Sequence, residues 1–144
     1  MTGKAERFLD TNVLLYAISR DPAEAGKRQR TRELMAQSGW AVSCQVLQEF
    51  YVQATRPRQG AALTHAEAAA VMHQIMEISD AVATTPRLVT QALNLKARHG
   101  LNYWDAAILA AAKVAGSPVV YSEDLAHDRD YDGVRVLNPF LGAP

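Results

Sequence analysis

Four acidic residues occupy positions at which a carboxylate is either costly to bury or well placed for chemistry. They are Asp10, Glu49, Asp105 and Asp124. Carboxylates that meet in one place repel one another and raise each other's pKa unless a cation neutralises them. Oxygen ligands suit Mg²⁺ or Mn²⁺ better than Zn²⁺. If the fold brings the four together, they predict a divalent-metal site that activates water and stabilises charge on a phosphoryl group.

Two of the acids follow apolar segments that are predicted to be strands. Asp10 ends the run 7–9 and is followed by two hydrogen-bonding residues, which would suit a hard cation. It would equally suit the cap of the next helix. Asp124 follows a second apolar run and could instead be a turn residue, in which case Glu123 or Asp128 could take its place in the site.

The other two acids are predicted to lie on helices. Glu49 lies beside an apolar stripe that contains Val46 and Phe50, so it must be paired, bind a metal or reach the surface from the stripe's edge. Asp105 lies in the first turn of an apolar helix, where the helix dipole favours a carboxylate. Asn102 and Asp105 also resemble a capping box, which gives Asp105 a structural alternative.

The elements that must position these acids alternate along the chain. Short apolar runs predict about five strands, at 7–9, 40–43, 80–84, 118–121 and 134–137. Caps and helical periodicity predict helices at 12–18, 21–38, 45–55, 64–78, 85–99 and 103–115. This alternation predicts an α/β fold with a mostly parallel sheet. The strands that end at Asp10 and Ser122 should be central, and ligands bind such sheets at the carboxyl ends of the strands where strand order reverses.

Length and composition limit the remaining possibilities. The 144 residues predict a single domain over 1–144, and 49% hydrophobic residues suit a packed core. The one cysteine, Cys44, excludes an internal disulfide, and the polar start and short apolar runs predict a cytoplasmic protein with no membrane span. Both Trp40 and Trp104 are expected to anchor the core or its edge rather than to stack on bases.

The charge of the whole chain does not indicate a nucleic-acid partner. Fifteen basic and fifteen acidic residues give a net charge of zero. The distribution shows more, because four basic residues cluster on one predicted helix: Lys27, Arg28, Arg30 and Arg32. They are either RNA-binding residues that contact phosphates or a solvated helix face.

Four blocks, in this order along the chain, resemble the PIN-domain family and especially the VapC-type toxins of toxin–antitoxin pairs. The blocks are 9–17 (LDTNVLLYA), 42–50 (VSCQVLQEF), 104–108 (WDAAI) and 122–125 (SEDL) with 134–140 (VRVLNPF). The resemblance implies a three-layer fold with a mostly parallel sheet flanked by helices. It also implies an endoribonuclease that depends on Mg²⁺ or Mn²⁺. The segment 57–101 matches no block and is where we expect substrate choice to reside.

The resemblance also implies roles for individual residues and partners. It implies catalytic acids at Asp10, Glu49, Asp105 and Asp124, with Asn12 as a supporting polar group, and metal ligands at Asp10, Asp105 and Asp124. It implies homodimerisation, an RNA substrate and inhibition by a small antitoxin protein.

Three other functions remain open from the sequence. An aspartate-nucleophile phosphatase also has an Asp after a strand, but it usually has a second Asp two residues on, where this chain has Asn12. A PIN nuclease of RNA processing would act without an antitoxin. A binding module could retain the fold and cleave nothing, although it would have no need of four clustered acids.

Overall fold

The computed structural model describes residues 5–57 and 62–141, which form an α/β fold around one sheet. The sheet has six strands in the order β3-β2-β1-β4-β6-β5. The strands are β1 (Arg7–Leu9), β2 (Trp40–Ser43), β3 (Asp80–Val82), β4 (Val119–Tyr121), β5 (Asp130–Tyr131) and β6 (Val134–Leu137). All neighbours pair in parallel except β5 and β6. The predicted fold class is confirmed, with one strand more than expected.

The additional strand, β5, is half of a short hairpin. Its residues Asp130 and Tyr131 pair with Arg135 and Val134 of β6. The turn between them is Asp132-Gly133, both at positive φ (53° and 94°), as tight hairpin turns require. A two-residue strand has no periodicity to detect, so only this Asp-Gly pair signals it.

Six α-helices surround the sheet in the described part of the chain, and most begin at the caps that the sequence predicts. They are α1 (Thr11–Tyr16), α2 (Ala25–Ala36), α3 (Cys44–Thr55), α4 (His65–Ile78), α5 (Pro86–His99) and α6 (Tyr103–Ala115). Thr64 and Glu67 form the expected capping box, and Asn102 and Ser43 cap α6 and α3. The predicted helix 21–38 is instead a 3₁₀ turn, Pro22–Glu24, followed by α2.

The core surrounds the two central strands. Phe8 and Val120 are fully buried, and residues 106–112 of α6 are all at most 4% exposed. Trp40 is buried as expected and donates from its indole nitrogen to the Met35 carbonyl. Within the described residues, no helix is long and apolar enough to cross a membrane.

The sheet order makes β1 and β4 the central pair, as predicted. From β1 the chain builds outward through β2 and β3, and then crosses to the opposite side of β1 to form β4. Strand order therefore reverses between β1 and β4, which is the position where open α/β sheets bind ligands. Asp10 and Ser122 directly follow these two strands.

Candidate active site

Asp10 is the buried acid of the site and also the cap of α1. Its carboxylate accepts hydrogen bonds from the Thr11 amide (2.7 Å), the Ser122 hydroxyl (2.8 Å) and the Asn12 side-chain amide (3.2 Å). The Asp10 backbone amide donates to Tyr121, which continues the pairing of β1 with β4. The capping function and the site function expected for Asp10 are therefore compatible, since one oxygen serves the helix and the other faces the loop after β4.

The environment of Asp10 disfavours its charge. Burial raises the pKa of Asp10 from 3.8 to about 6, although hydrogen bonds from Ser122 and Thr11 lower it. The negative charges of Asp124 and Glu49 raise this pKa further, which places both acids close enough to act on Asp10. A cation among these groups would relieve both the burial cost and the repulsion.

Asn12 links the start of α1 to the loop after β4. Its side-chain nitrogen lies 3.0 Å from the Asp124 carboxylate and 3.3 Å from the Ser122 hydroxyl, in addition to its contact with Asp10. Its side-chain oxygen accepts from the Glu123 backbone amide at 3.1 Å. Asn12 thus fixes the spacing between the two acids that follow the central strands.

The structure separates Asp124 from the two nearby acids that the sequence left as alternatives. Asp124 is exposed at the site. Glu123 turns away and accepts hydrogen bonds from the Tyr16 hydroxyl and the Lys27 ammonium. Asp128 pairs with Arg135 at 2.9 Å. Of the three carboxylates, that of Asp124 is the one that contacts the Asn12 side-chain nitrogen.

The Lys27–Glu123 pair lies at the edge of the site and was not expected. Lys27 also lies over the Tyr16 ring, 4.8 Å from its centroid. Although partial burial raises the pKa of Glu123, hydrogen bonds from Lys27 and Tyr16 hold it below its ordinary value. The pair fastens the loop that carries Asp124 to α1 and α2.

Glu49 and Asp105 approach from helices and are more exposed than Asp10. Glu49 reaches solvent and accepts a hydrogen bond from Gln45 at 2.7 Å. Asp105 accepts from the Asn102 side chain at 2.8 Å, and its backbone amide donates to the same residue at 2.9 Å. Partial burial and the charge of Asp124 raise the pKa of Asp105. Its expected cap is thus present, while its carboxylate also interacts with the site.

The four acids are linked by charge repulsion, but they do not converge on one point as the ligands of a bound ion would. Within the part of the chain that the structure describes, no three His, Cys, Asp or Glu side chains converge closely enough to hold an ion as they stand. The chemistry of the donor set nevertheless fits a hard divalent cation. All four side chains are carboxylates, and their negative charges repel one another unless a cation is present. In addition, the buried Thr11 hydroxyl beside Asp10 has no hydrogen-bond partner among the described residues.

Trp104 lies next to Asp105 and is exposed. Its exposed fraction is 65%, so the prediction that it anchors the core or its edge is wrong. The first turn of α6 turns Trp104 outward, while Ala107 and Ile108 of the next turn face the core. Its carbonyl accepts from Gln45, which therefore connects Glu49 to the start of α6.

The basic cluster of α2 makes contacts within the protein. Arg30 donates to the Pro139 carbonyl (3.2 Å), Arg28 to Ser19 (2.8 Å) and Arg32 to Ala17 (3.0 Å). Together with the contact of Lys27 to Glu123, these bonds fix the direction of each side chain. A role in RNA binding stays a prediction for this cluster.

Comparisons with known proteins agree with this architecture. The sequence profile of the PIN domain matches residues 7–131. The toxin VapC20 of Mycobacterium tuberculosis, described as cleaving the sarcin–ricin loop, is 23% identical with a TM-score of 0.63, over 82% of this chain and 89% of that one. A toxin–antitoxin complex from Klebsiella pneumoniae gives 16% identity and a TM-score of 0.65, over 92% and 97% of the two chains.

A third similar structure is the DNA-bound VapBC of Salmonella typhimurium. It is 20% identical with a TM-score of 0.62, over 91% of this chain and 96% of that one. No curated protein sequence matches this chain. Since the profile covers most of the chain, including the strands and helices that carry Asp10, Glu49, Asp105 and Asp124, the chain belongs to the PIN domain family.

Proposed function

We propose that this chain is an endoribonuclease that depends on Mg²⁺ or Mn²⁺ and hydrolyses RNA phosphodiester bonds. One observation carries the proposal: a buried carboxylate, Asp10, follows a central strand and has its pKa raised partly by Asp124 and Glu49. Such an arrangement of charges is unfavourable by itself and becomes favourable with a divalent cation.

The residues of the chain would divide the work as follows. Asp10, Asp105 and Asp124 hold the ion, and Glu49 is the fourth catalytic acid. When bound, a divalent ion supplies an activated water and stabilises charge on the phosphoryl group. Asn12 supports the site, because it holds Asp10 and Asp124 at a fixed spacing through its side-chain nitrogen.

We further propose that the chain is the toxin of a toxin–antitoxin pair. One similar structure, from Klebsiella pneumoniae, is described as a toxin–antitoxin complex, and another, VapC20 of Mycobacterium tuberculosis, is described as a toxin. A small antitoxin would inhibit by bringing a positive charge to the carboxylates. Arginine suits this purpose, since its planar fork can bind two carboxylate oxygens. The active form is proposed to be a homodimer.

Cleavage assays with a matched pair of variants test the nuclease. The purified chain should cleave RNA with Mg²⁺ or Mn²⁺ and not with excess chelator. Asp10→Asn should abolish cleavage, whereas Asp21→Asn should not. Asp21 is a fair control because it also caps a helical turn, through the Ala23 amide at 2.9 Å, outside the site. Cleavage that persists in chelator would overturn the metal-dependent mechanism.

Co-purification tests the partner. The product of the neighbouring gene should form a stable complex with the chain and suppress its activity. A nuclease without such a partner would favour a function in RNA processing. Absence of both cleavage and divalent-ion binding would favour a non-catalytic module.

A further inference from the structure

The basic residues of α2 divide between two faces of the helix. Lys27 and Arg30 point to Glu123 and Pro139, which lie on the segments after β4 and β6. Arg28 and Arg32 are one turn apart and point instead to the end of α1. The second pair therefore belongs to a different surface from the acidic site.

Arg28 and Arg32 line a cleft of about 340 Å³ together with Arg20. We call this the arginine cleft. Its other lining residues are Ile18, Ser19 and Leu63, so none of the described lining residues is acidic. Three guanidinium groups thus share one depression in a chain whose acidic and basic residues balance. Within the described residues, their one ion pair joins Arg20 to Glu67 at 3.8 Å, and both side chains are at least half exposed.

The end of α1 fixes the direction of two of these guanidinium groups. Arg28 donates to the Ser19 carbonyl at 2.8 Å and Arg32 to the Ala17 carbonyl at 3.0 Å. Each of these hydrogen bonds uses one of the five N–H donors of the arginine. The remaining donors are available to an anion, and the planar fork matches the oxygens of a phosphate group.

We propose that the arginine cleft binds a phosphodiester group of the RNA strand at a distance from the bond that is cleaved. This inference rests on the proposed ribonuclease function. Asp10 caps one end of α1 and the cleft lies at the other end, and a six-residue helix is about 9 Å long. One RNA strand can therefore contact both places, with the cleft setting the path of the strand.

RNA binding without cleavage tests the cleft directly. In an Asp10→Asn background, the double substitution Arg28→Met with Arg32→Met should weaken binding of a short mixed-sequence single-stranded RNA by about 10-fold at low salt. The slope of log affinity against log salt should fall by about 0.7, since one phosphate contact is lost. Arg98→Met is the matched control, because it also removes an arginine side chain but Arg98 pairs with Asp132 and does not line the cleft.

Conservative variants guard against a trivial loss of folding. Lysine at both positions keeps the charge but not the fork, so it should restore the salt slope and only part of the affinity. Unchanged affinity and slope in the methionine double variant would overturn the proposal. If that variant instead retains RNA binding and loses the protein partner, the cleft binds a carboxylate of that partner.

A scan with neutral phosphates locates the contact. The scan uses an RNA that the wild-type chain cleaves once. Single methylphosphonate groups in this RNA should weaken its binding to the Asp10→Asn chain most at the scissile phosphate and at one position some nucleotides away. The methionine double variant should lose the sensitivity at the distant position only. If the double variant and its Asp10→Asn parent are equally sensitive at every position, the cleft does not bind the distant phosphate. A wild-type chain that cleaves no RNA would instead refute the proposed function, and the binding experiment would still decide on the cleft.

Discussion

The inner and outer parts of the acidic site are built in different ways. The inner acid, Asp10, is buried at the end of β1 and held by backbone and side-chain donors. The outer acids, Glu49 and Asp105, lie on helices, and a neighbouring Gln or Asn side chain binds each carboxylate. The inner acid is therefore fixed before any ligand arrives, at the cost of a disfavoured charge, whereas the outer acids are more exposed and remain adjustable. We therefore expect substitutions at the inner acid to reduce cleavage most and substitutions near the outer acids to reduce it least.

Asp10→Asn should give the largest change, and activity and stability should move in opposite directions. Cleavage should fall about 100-fold or more, since a bound metal contributes several kcal/mol to such reactions. Without metal, the variant should be more stable than the wild type by up to about 3 kcal/mol at pH 7, because the pKa of Asp10 is raised from 3.8 to about 6.

Proton linkage explains why the variant should be the more stable of the two metal-free proteins at pH 7. The folded chain binds the Asp10 proton more tightly than the unfolded chain, so this contribution to stability is lost as pH rises from about 4 to about 6. Thermal melts of the metal-free proteins should coincide near pH 4 and diverge above it. Mg²⁺ should raise the melting temperature of the wild type only. A variant that is less stable than the wild type at pH 7 would contradict the disfavoured charge of the inner acid.

Asn12→Ala should affect the inner acid and also the exposed Asp124, because Asn12 connects Asp10 with Asp124. We expect cleavage to fall about 10-fold or more and the free energy of unfolding to fall by about 1–2 kcal/mol, since the Glu123 amide loses its acceptor. Asn94→Ala, at an exposed position of α5, is the control and should change neither quantity. Full activity at ordinary Mg²⁺ together with lost stability would restrict Asn12 to a structural role.

The contrast between inner and outer parts also explains what the sequence could predict. Asp10 follows a buried strand and precedes a helix, and both signals are local, so its position was predictable. The caps at Asn102 and Thr64 were predictable for the same reason. Position within a strand or at a helix start depends on a few neighbouring residues.

Features that depend on distant contacts were not predictable. Glu123 leaves the site because it meets Lys27, which is 96 positions away in sequence. Trp104 is exposed because of the orientation of α6 on the sheet, which no local pattern encodes. The bond from Gln45 to Glu49 has the spacing of one helical turn and could have been proposed, whereas its second contact with the Trp104 carbonyl could not.

Lys27→Met should have an intermediate effect through the loop that carries Asp124. Loss of the pair with Glu123 should lower kcat a few-fold and leave the KM for RNA unchanged, because Lys27 holds the segment that carries Asp124 through this pair. Glu123→Gln should reproduce this result, and the double variant should be no worse than either single one. Lys96→Met, on α5, is the control. A raised KM with unchanged kcat would instead support the RNA contact that the sequence suggests for Lys27.

Gln45→Ala should give the smallest change, because it only loosens an outer acid. Gln45 holds the Glu49 carboxylate at 2.7 Å and the Trp104 carbonyl at 3.4 Å, and Glu49 stays exposed with or without it. An exposed side-chain hydrogen bond contributes about 1 kcal/mol at most, so cleavage should fall about 2-fold and the melting temperature by a few degrees at most. Gln48→Ala, at the exposed position beside Glu49 on α3, should have no effect. Single-turnover rates at saturating RNA measure the difference. A loss as large as that of Asn12→Ala would show that Glu49 must be fixed in advance, and the distinction between a rigid inner part and an adjustable outer part would no longer hold.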